Sequence, residues 1–184
     1  DLFLTTYKKA LESNQKSVEA ISISSFNQKT NEVNSRMVNL KYIKKNEWVF
    51  FSNYSSPKAV EFKSHSQISA LLFWSSINTQ IRINAEIYKT SADFSDAHFD
   101  KRSNKKNALA ISSHQSKKIS AYKDIVINYE KTLKTNSFNR PEYWGGYTFK
   151  PYYFEFWTGH SSRLNKRKVY KLKNQSWDSY IIQP

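Results

Sequence analysis

The chain of 184 residues contains no cysteine, and it has only three glycines, four prolines and four histidines. Without cysteine it can form no disulfide, no thiolate metal site and no cysteine nucleophile. The histidines lie far apart in the sequence and no pair has zinc spacing, so we expect no metal site. Because cysteine is absent, we predict a cytoplasmic location.

Long apolar runs are also absent. No stretch reaches the roughly 18 consecutive apolar residues that a membrane-spanning helix needs, so we expect no membrane partner. The first residues, Asp1-Leu2-Phe3-Leu4, lack the basic segment and apolar core of a signal peptide, so none is expected. Hydrophobic residues still make up 39% of the chain and aromatic residues 16%. This content and length predict one globular domain over residues 1–184.

Acidic residues are scarce relative to basic ones. The 29 lysines and arginines stand against 15 aspartates and glutamates, which gives a net charge of +14. A basic chain attracts polyanions, so nucleic acid and phosphorylated ligands are both candidate partners. The lysines are spread along the whole chain, which is typical of a solvated surface. We therefore favour a lysine-rich surface over nucleic-acid binding.

Hydrophobic spacing predicts a mainly β protein. Helices are expected over residues 2–13, 57–65, 91–98 and 120–134. Strands are expected over residues 18–26, 36–43, 48–51, 67–74, 80–88, 147–150, 152–158, 167–173 and 177–182. Many strands at short intervals, with a few helices between them, predict a closed antiparallel barrel with peripheral helices.

The sequence Ser56-Pro57-Lys58 predicts the start of a helix, with a serine cap and a proline in the first turn. A helix N-terminus is the positive end of the helix dipole and attracts anions. A lysine in that turn opposes the dipole, which makes sense where a phosphate is bound. On this motif alone a solvated lysine is the more common case, so both readings stay open.

Two further cations lie on the strand predicted over residues 36–43. Arg36 and Lys41 have opposite parity, so they are expected to face opposite sides of it. A buried arginine needs a carboxylate or a phosphate partner. An ion pair within the protein is the simpler account, but the shortage of acidic residues favours an external anion.

Near the C-terminus, Arg163 and Arg167 are four residues apart, which brings both to one side of a helix or a strand. We expect both to point into one pocket beside Trp157, where arginine and tryptophan suit a flat anionic ligand. Gln80 opens a strand and could hydrogen-bond a planar heterocycle through its amide. A basic turn and a solvent-exposed glutamine are the simpler alternatives.

The order of several short motifs resembles the pyridoxamine 5'-phosphate oxidase family. The motifs are Arg36-Met37-Val38-Asn39-Leu40-Lys41, Phe50-Phe51-Ser52-Asn53, Ser56-Pro57-Lys58, Thr79-Gln80-Ile81, Ser113-His114-Gln115-Ser116, Trp144-Gly145-Gly146-Tyr147, Glu155-Phe156-Trp157-Thr158-Gly159 and Arg163-Leu164-Asn165-Lys166-Arg167. They cover nearly the whole chain with natural spacing, and the segment 141–184 completes the family signature. The resemblance implies an antiparallel split β-barrel that forms a homodimer, with FMN bound at the subunit interface.

The resemblance also implies which residues bind the cofactor. Arg36, Lys58, Gln115 and Ser116 would hold the FMN phosphate. The backbone from Met37 through Val38, Asn39 and Leu40 to Lys41, together with Phe51 and Ser52, would line the flavin. Gln80, Trp157 and Arg167 would address the ring system. Pro57 stands where the family has a further arginine, so Lys58 and the helix N-terminus must do more.

On the substrate side the resemblance implies a small phosphorylated ligand. Lys41 and Arg102 match two of the family's phosphate-binding residues, whereas His98 replaces a tyrosine and Lys106 replaces a serine. Arg163 matches the arginine that covers the substrate ring, and Asn165 replaces a histidine at the catalytic position beside it.

The activity implied is oxidation of pyridoxamine or pyridoxine 5'-phosphate to pyridoxal 5'-phosphate, with oxygen reduced to hydrogen peroxide. Three alternatives remain open from the sequence. The chain could be a flavin oxidase for another planar substrate, similar to the phenazine-pathway enzymes. It could also bind FMN without turnover, or be a basic nucleic-acid-binding barrel without a cofactor.

Overall fold

One antiparallel sheet organises the computed structural model, which describes residues 2–135 and 138–184. Asp1, Asn136 and Ser137 belong to the predicted domain but lie outside the described residues. The strands are β1 (Ala20–Asn27), β2 (Glu32–Asn39), β3 (Tyr42–Lys44), β4 (Glu47–Asn53), β5 (Gln67–Trp74), β6 (Thr79–Lys89), β7 (Trp144–Thr158), β8 (Lys166–Lys173) and β9 (Ser176–Ile182). The helices are α1 (Leu2–Glu12), α2 (Pro57–Ser64), α3 (Ala92–Asp100), α4 (Asn104–Ser112) and α5 (Tyr122–Leu133), with a 3-10 turn at Ser75–Ile77.

The sheet branches at β7, its longest strand, which has different partners along its length. The main path runs β2-β1-β5-β6-β7-β4-β3, and every pairing in it is antiparallel. The first part of β7 pairs with β4, and its second part, from Tyr153 to Thr158, pairs with β8, which in turn pairs with β9. The predicted fold class, mainly antiparallel β with peripheral helices, is therefore confirmed.

Alternation along β5 and β6 builds the core. The residues Ile68, Ala70, Leu72 and Trp74 of β5 and Ile81, Ile83, Ala85 and Ile87 of β6 are all buried. Successive side chains of a strand point to opposite faces, so these residues share the inner face. Phe3 and Ala10 of α1 belong to the same cluster. None of the described helices is both long and apolar enough to cross a membrane.

The strand predicted over residues 36–43 is wrong as a single element. It breaks at Leu40 and Lys41, between β2 and β3. There the chain changes partners, because the Leu40 amide donates to Glu19 O whereas the Lys41 amide donates to Val49 O. The parity argument that placed Arg36 and Lys41 on opposite faces of one strand therefore does not apply.

The secondary structure differs from the prediction at two other places. Helix α4 lies in a stretch that the sequence analysis left without secondary structure, and it buries only Asn107 and Ala108. The strands predicted over 147–150 and 152–158 are one strand, β7, whose pairing with β6 shifts register opposite Asn84 and Ala85. The shift leaves Tyr152 without a partner on β6, and it lies next to Pro151, which has no amide hydrogen to donate.

Gly146 lies where β7 pairs with Phe51 of β4, and it has no room for a side chain. A Cβ atom there would come 2.6 Å from Thr90 Oγ1 and 2.8 Å from Thr90 Cβ. We expect Gly146→Ala to lower the free energy of unfolding by about 1–3 kcal/mol, measured by urea denaturation. Gly159→Ala is the control, because its Cβ would meet the rotatable amide of Asn78. Equal losses in the two variants would contradict this reading.

Candidate active site

A cavity of about 550 Å³ lies between the sheet and the helices α3 and α4. We call it the basic cavity. Eleven predicted site residues line it: Met37, Val38, Asn39, Lys41, Phe51, Ser52, Lys58, His98, Arg102, Lys106 and Gln115; Lys101, Ser103 and Trp144 complete it. Five of these side chains are cationic, and no aspartate or glutamate of residues 2–135 and 138–184 is among the lining. The cavity is therefore suited to an anionic ligand.

Strand β4 and helix α3 position part of this lining. The end of β4 presents Phe51 and Ser52, which pair with Gly146 and Gly145 of β7. Ser91 is the N-cap of helix α3, and its hydroxyl accepts a hydrogen bond from the Phe94 amide. The same helix buries Phe99 and carries His98 into the lining, and Arg102 follows two residues after the helix ends.

Lys58 lies in the first turn of α2 and is only 7% exposed. Its Nζ donates to Ser52 Oγ at 3.1 Å and to Ser56 Oγ at 3.2 Å. No carboxylate within the described ranges forms an ion pair with it. Burial and the charge of Arg36 lower the pKa of Lys58 to about 8. A buried ammonium with only hydroxyl partners is suited to a phosphate.

Ser56 occupies the predicted N-cap position of α2, with Pro57 at the start of the helix. Its hydroxyl does not cap the helix, because it donates to Asn53 O at 2.7 Å and accepts from Lys58. The serine therefore helps to orient the lysine rather than to satisfy the helix backbone.

Arg36 is engaged by an internal carboxylate. Its Nη2 lies 2.8 Å from Glu61 Oε2, and its Nη1 donates to Ser25 Oγ at 2.6 Å. Glu61 is 1% exposed and also accepts hydrogen bonds from Ser25 and Asn34. The sequence analysis left two partners open for Arg36, an internal carboxylate and an external anion, and the structure shows the internal carboxylate. The charge of Arg36 is therefore balanced, while Lys58 beside it stays without a carboxylate.

The Glu61 network predicts a large effect on stability. Glu61→Ala would leave the Arg36 guanidinium, itself mostly buried, without its counter-ion. We expect the free energy of unfolding to fall by about 3–5 kcal/mol in urea denaturation. Glu47→Ala is the control, because the pair of Glu47 with Lys150 is close to half exposed, and its loss should cost less than about 1 kcal/mol. A Glu61→Ala cost as small as that of the control would contradict the assignment.

Flat groups form one wall of the basic cavity. The Phe51 ring stacks on His98 at 3.7 Å and on Trp144 at 5.3 Å, with nearly parallel planes. The Arg102 guanidinium lies 4.4 Å from the Trp144 ring, and its Nη2 donates to Lys106 O. Its Nη1 is buried and has no hydrogen-bond partner among the residues that the structure describes. An unpartnered guanidinium nitrogen beside stacked rings suits a planar ligand that carries an anion.

Two other residues predicted to bind the FMN phosphate, Gln115 and Ser116, follow helix α4. Gln115 Oε1 accepts from Ser52 Oγ at 3.4 Å, so glutamine and lysine share one serine hydroxyl. Ser116 follows in a turn with a left-handed φ of 66° and does not line the cavity. Leu40 is buried in the core instead of lining the cavity.

Gln80, Trp157 and Arg167 form a second group on the outer face of the sheet. They are consecutive cross-strand partners on β6, β7 and β8. Glu155, which is 2% exposed, accepts from Arg167 Nε and from Arg82 Nη1, each at 2.8 Å. This carboxylate fixes the arginine in place next to the tryptophan.

Arg167 lines a second cavity, of about 880 Å³, which shares no lining residue with the basic cavity. We call it the terminal cavity. Asn165 also lines it, and its Oδ1 accepts from the His160 amide. Arg163 lies in an exposed turn and lines neither cavity. One copy of the chain thus divides the predicted site residues into two separate groups.

Sequence comparison identifies the family. Pyridoxine/pyridoxamine 5'-phosphate oxidase from Cytophaga hutchinsonii is 36% identical over 181 residues, which cover 95% of this chain and 83% of that protein. The enzyme of that name from Leptospira biflexa is 31% identical and covers 100% of this chain and 87% of its own length. The chain belongs to the pyridoxine/pyridoxamine 5'-phosphate oxidase family.

Two further comparisons agree with the family assignment. The family model described as the pyridoxine 5'-phosphate oxidase C-terminal dimerisation region matches residues 144–184. In fold, PhzG from Burkholderia lata 383, solved with tetrahydrophenazine-1-carboxylic acid, has a TM-score of 0.95 at 23% identity and covers 100% of this chain and 91% of its own. A pyridoxamine 5'-phosphate oxidase-related, FMN-binding protein from Nostoc punctiforme has a TM-score of 0.81 at 12% identity, covering 98% and 96%. The split barrel of this family is therefore the fold of the chain.

Sequence reasoning missed some residues of the basic cavity. Trp144 entered the sequence analysis only as part of a fold motif, although it stacks against Arg102 in the cavity wall. Lys101 precedes Arg102 directly, and the basic pair was the available signal. Nothing in the sequence indicated Tyr42, whose hydroxyl contacts His98 across 56 positions of sequence.

Proposed function

We propose that the protein is an FMN-dependent oxidase that converts pyridoxamine or pyridoxine 5'-phosphate to pyridoxal 5'-phosphate and reduces oxygen to hydrogen peroxide. The observation that carries the proposal is Lys58, a buried lysine without a carboxylate partner in a cavity lined by five cations. Relatives above 30% identity that bear this enzyme name support it. A cytoplasmic location remains a prediction.

The described residues fit an FMN molecule. Lys58, Ser52 and Gln115 would bind its phosphate, with Arg36 and Ser116 close by. The backbone from Met37 to Lys41 and the Phe51 ring would line the flavin. A bound flavin would supply the acceptor for a hydride from the substrate and would pass the electrons to oxygen.

A second copy of the chain would complete the site. Gln80, Trp157 and Arg167 would approach the flavin ring from that copy, because one chain keeps them apart from the basic cavity. Phe73, the cross-strand partner of Gln80, is an exposed apolar side chain beside this group. The match of residues 144–184 to a dimerisation region supports the homodimer.

The substrate phosphate would be bound by Lys41, His98, Arg102 and Lys106 in the basic cavity. Arg102 has a buried nitrogen free to donate. From the second copy, Arg163 would cover the substrate ring and Asn165 would stand beside it. These residues would orient the substrate and balance its charge.

A flavin oxidase for a planar carboxylate is the second candidate. His98, Lys106 and Asn165 depart from the family pattern on the substrate side, which favours a changed substrate. The fold of PhzG, solved with an aromatic carboxylic acid, supports the same alternative.

The test is purification followed by an oxidase assay. A yellow protein that releases FMN on denaturation is expected, and pyridoxamine 5'-phosphate should give pyridoxal 5'-phosphate and peroxide in equal amounts. A protein that holds no flavin after incubation with FMN would overturn the proposal that FMN is the cofactor. Bound flavin without product under air would overturn the proposal that pyridoxamine 5'-phosphate is the substrate. An oxidase for a planar carboxylate and a flavin carrier without turnover would then remain.

A further inference from the structure

Tyr42 and His98 form a fixed pair at the edge of the basic cavity. The Tyr42 hydroxyl lies 2.8 Å from His98 Nδ1. The imidazole also stacks on Phe51 at 3.7 Å, with an interplanar angle of 10°. One face and one nitrogen of the imidazole are thus held by β3 and β4, so its orientation is set before any ligand binds.

His98 is uncharged at neutral pH. Burial comes first among the causes that lower its pKa to about 4, followed by the charges of Arg102, Lys41, Lys101 and Lys106. No carboxylate lines the cavity within the described residues to oppose these cations. A neutral imidazole carries a single N–H, so one ring nitrogen donates and the other accepts.

The Nε2 atom of His98 is the nitrogen left for a ligand. Tyr42 is the only hydrogen-bond partner of the His98 side chain in the described part of the chain. Nε2 has no hydrogen-bond partner among the described residues and is not fully buried, and the His98 side chain belongs to the lining of the basic cavity. An Nε2 lone pair would repel a bound anion, whereas an Nε2–H group would bind it.

We propose that the Tyr42 hydroxyl donates its hydrogen to His98 Nδ1, and that the neutral imidazole therefore presents Nε2–H to the anionic group of the substrate beside Lys41, Arg102 and Lys106. Tyr42 is then a positioning residue, because it acts on the substrate through the tautomer of His98. The inference rests on the proposed function for the identity of the substrate, but the anion site itself does not depend on oxidase activity.

The kinetic test is Tyr42→Phe, which keeps the ring against Phe94 and His98 and removes only the hydroxyl. The KM for pyridoxamine 5'-phosphate should rise about three- to tenfold, as expected for one weakened hydrogen bond, while kcat stays within about twofold. FMN affinity should not change. Tyr88→Phe is the matched control, because its hydroxyl donates to Glu47 on the surface. An unchanged KM in Tyr42→Phe would overturn the proposal.

The spectroscopic test observes the tautomer directly. In ¹⁵N-labelled protein, His98 should show a protonated Nε2 and an unprotonated Nδ1 at pH 7, and Tyr42→Phe should shift its signals towards a mixture of both tautomers. A protonated Nδ1 in the unaltered protein would reverse the donor and sink the idea. A purely structural role of Tyr42 would leave the tautomer of the variant unchanged.

A double-mutant cycle separates the path through His98 from other effects. His98→Gln offers an amide N–H near the Nε2 position without needing Tyr42, so adding Tyr42→Phe to it should not raise KM further. A full additional loss in the double variant would show that Tyr42 acts by another route.

Binding of inorganic phosphate distinguishes failure of this inference from failure of the proposed function. We expect titration calorimetry on the FMN-loaded protein to give an affinity for phosphate that falls about three- to tenfold in Tyr42→Phe. If the protein lacks oxidase activity but shows this loss, the proposed function fails and the anion site stands. If the oxidase works and phosphate affinity is the same in both proteins, the inference about Tyr42 fails alone.

Discussion

Lys58→Met should lower the affinity for FMN by about ten- to a hundredfold, as expected for loss of a charge-assisted hydrogen bond to a phosphate. Lys58 is buried, and its ammonium is held by the hydroxyls of Ser52 and Ser56 instead of by a carboxylate. Methionine has a similar length and no charge, so it should pack in the same space. Fluorescence titration of the apoprotein with FMN measures the change.

Lys63→Met is the matched control, because Lys63 lies in the last turn of the same helix and is exposed. It removes the same charge without touching the basic cavity, so FMN affinity should stay within about twofold. Equal affinities for FMN in Lys58→Met and Lys63→Met would mean that the phosphate binds elsewhere.

The pH dependence of binding follows from the same lysine. In the free protein the pKa of Lys58 is about 8, and a bound phosphate dianion would raise it. Binding must therefore take up a proton above pH 8, and affinity should fall there by up to about tenfold per pH unit, while it falls by only about twofold from pH 7 to 8. Lys58→Met should remove the fall. A level affinity up to pH 9.5 in the unaltered protein would contradict the assignment.

Local patterns predicted much of the fold. The alternation in β6 placed Ile81, Ile83 and Ala85 in the core, because strand periodicity depends on neighbouring residues alone. The start of α2 was equally local, since Ser56 precedes the helix at the cap position. The family motifs added the order of these elements, and most of the cavity lining followed from them.

Long-range partners explain what the sequence could not predict. Arg36 pairs with Glu61 across 25 positions, and no carboxylate of the described residues pairs with the neighbouring Lys58. The break at Leu40 and Lys41 depends on a change of partner strand, which hydrophobic spacing does not encode. Helix α4 was missed because it buries only two residues and so has no apolar stripe.

Two inactive variants should restore activity when they form a mixed dimer. One is the cavity variant, Lys41→Met with Lys106→Met, which damages the basic cavity. The other is Arg163→Met, which removes the proposed ring contact in the C-terminal part. All three side chains are exposed, so folding should be preserved. Each homodimer should lose at least about tenfold in kcat/KM, since each lacks a charge-assisted contact to the substrate.

A mixed dimer built from these variants distinguishes a site shared between the two chains from a site formed within one chain. Suppose that each site combines the basic cavity of one chain with Arg163 of the other chain. One site of the mixed dimer then has the unaltered cavity of the Arg163→Met chain and the unaltered Arg163 of the cavity variant, so this site is intact. The second site then carries all the substitutions, so the dimer, purified through two different tags, should have about half of the unaltered activity. If each site lay within one chain, both sites would be damaged and nothing would be restored. Mixed dimers of two differently tagged cavity variants are the control and should stay inactive. Recovery in the first pair alone would show that Arg163 of one copy and the basic cavity of the other copy act in one site at the dimer interface.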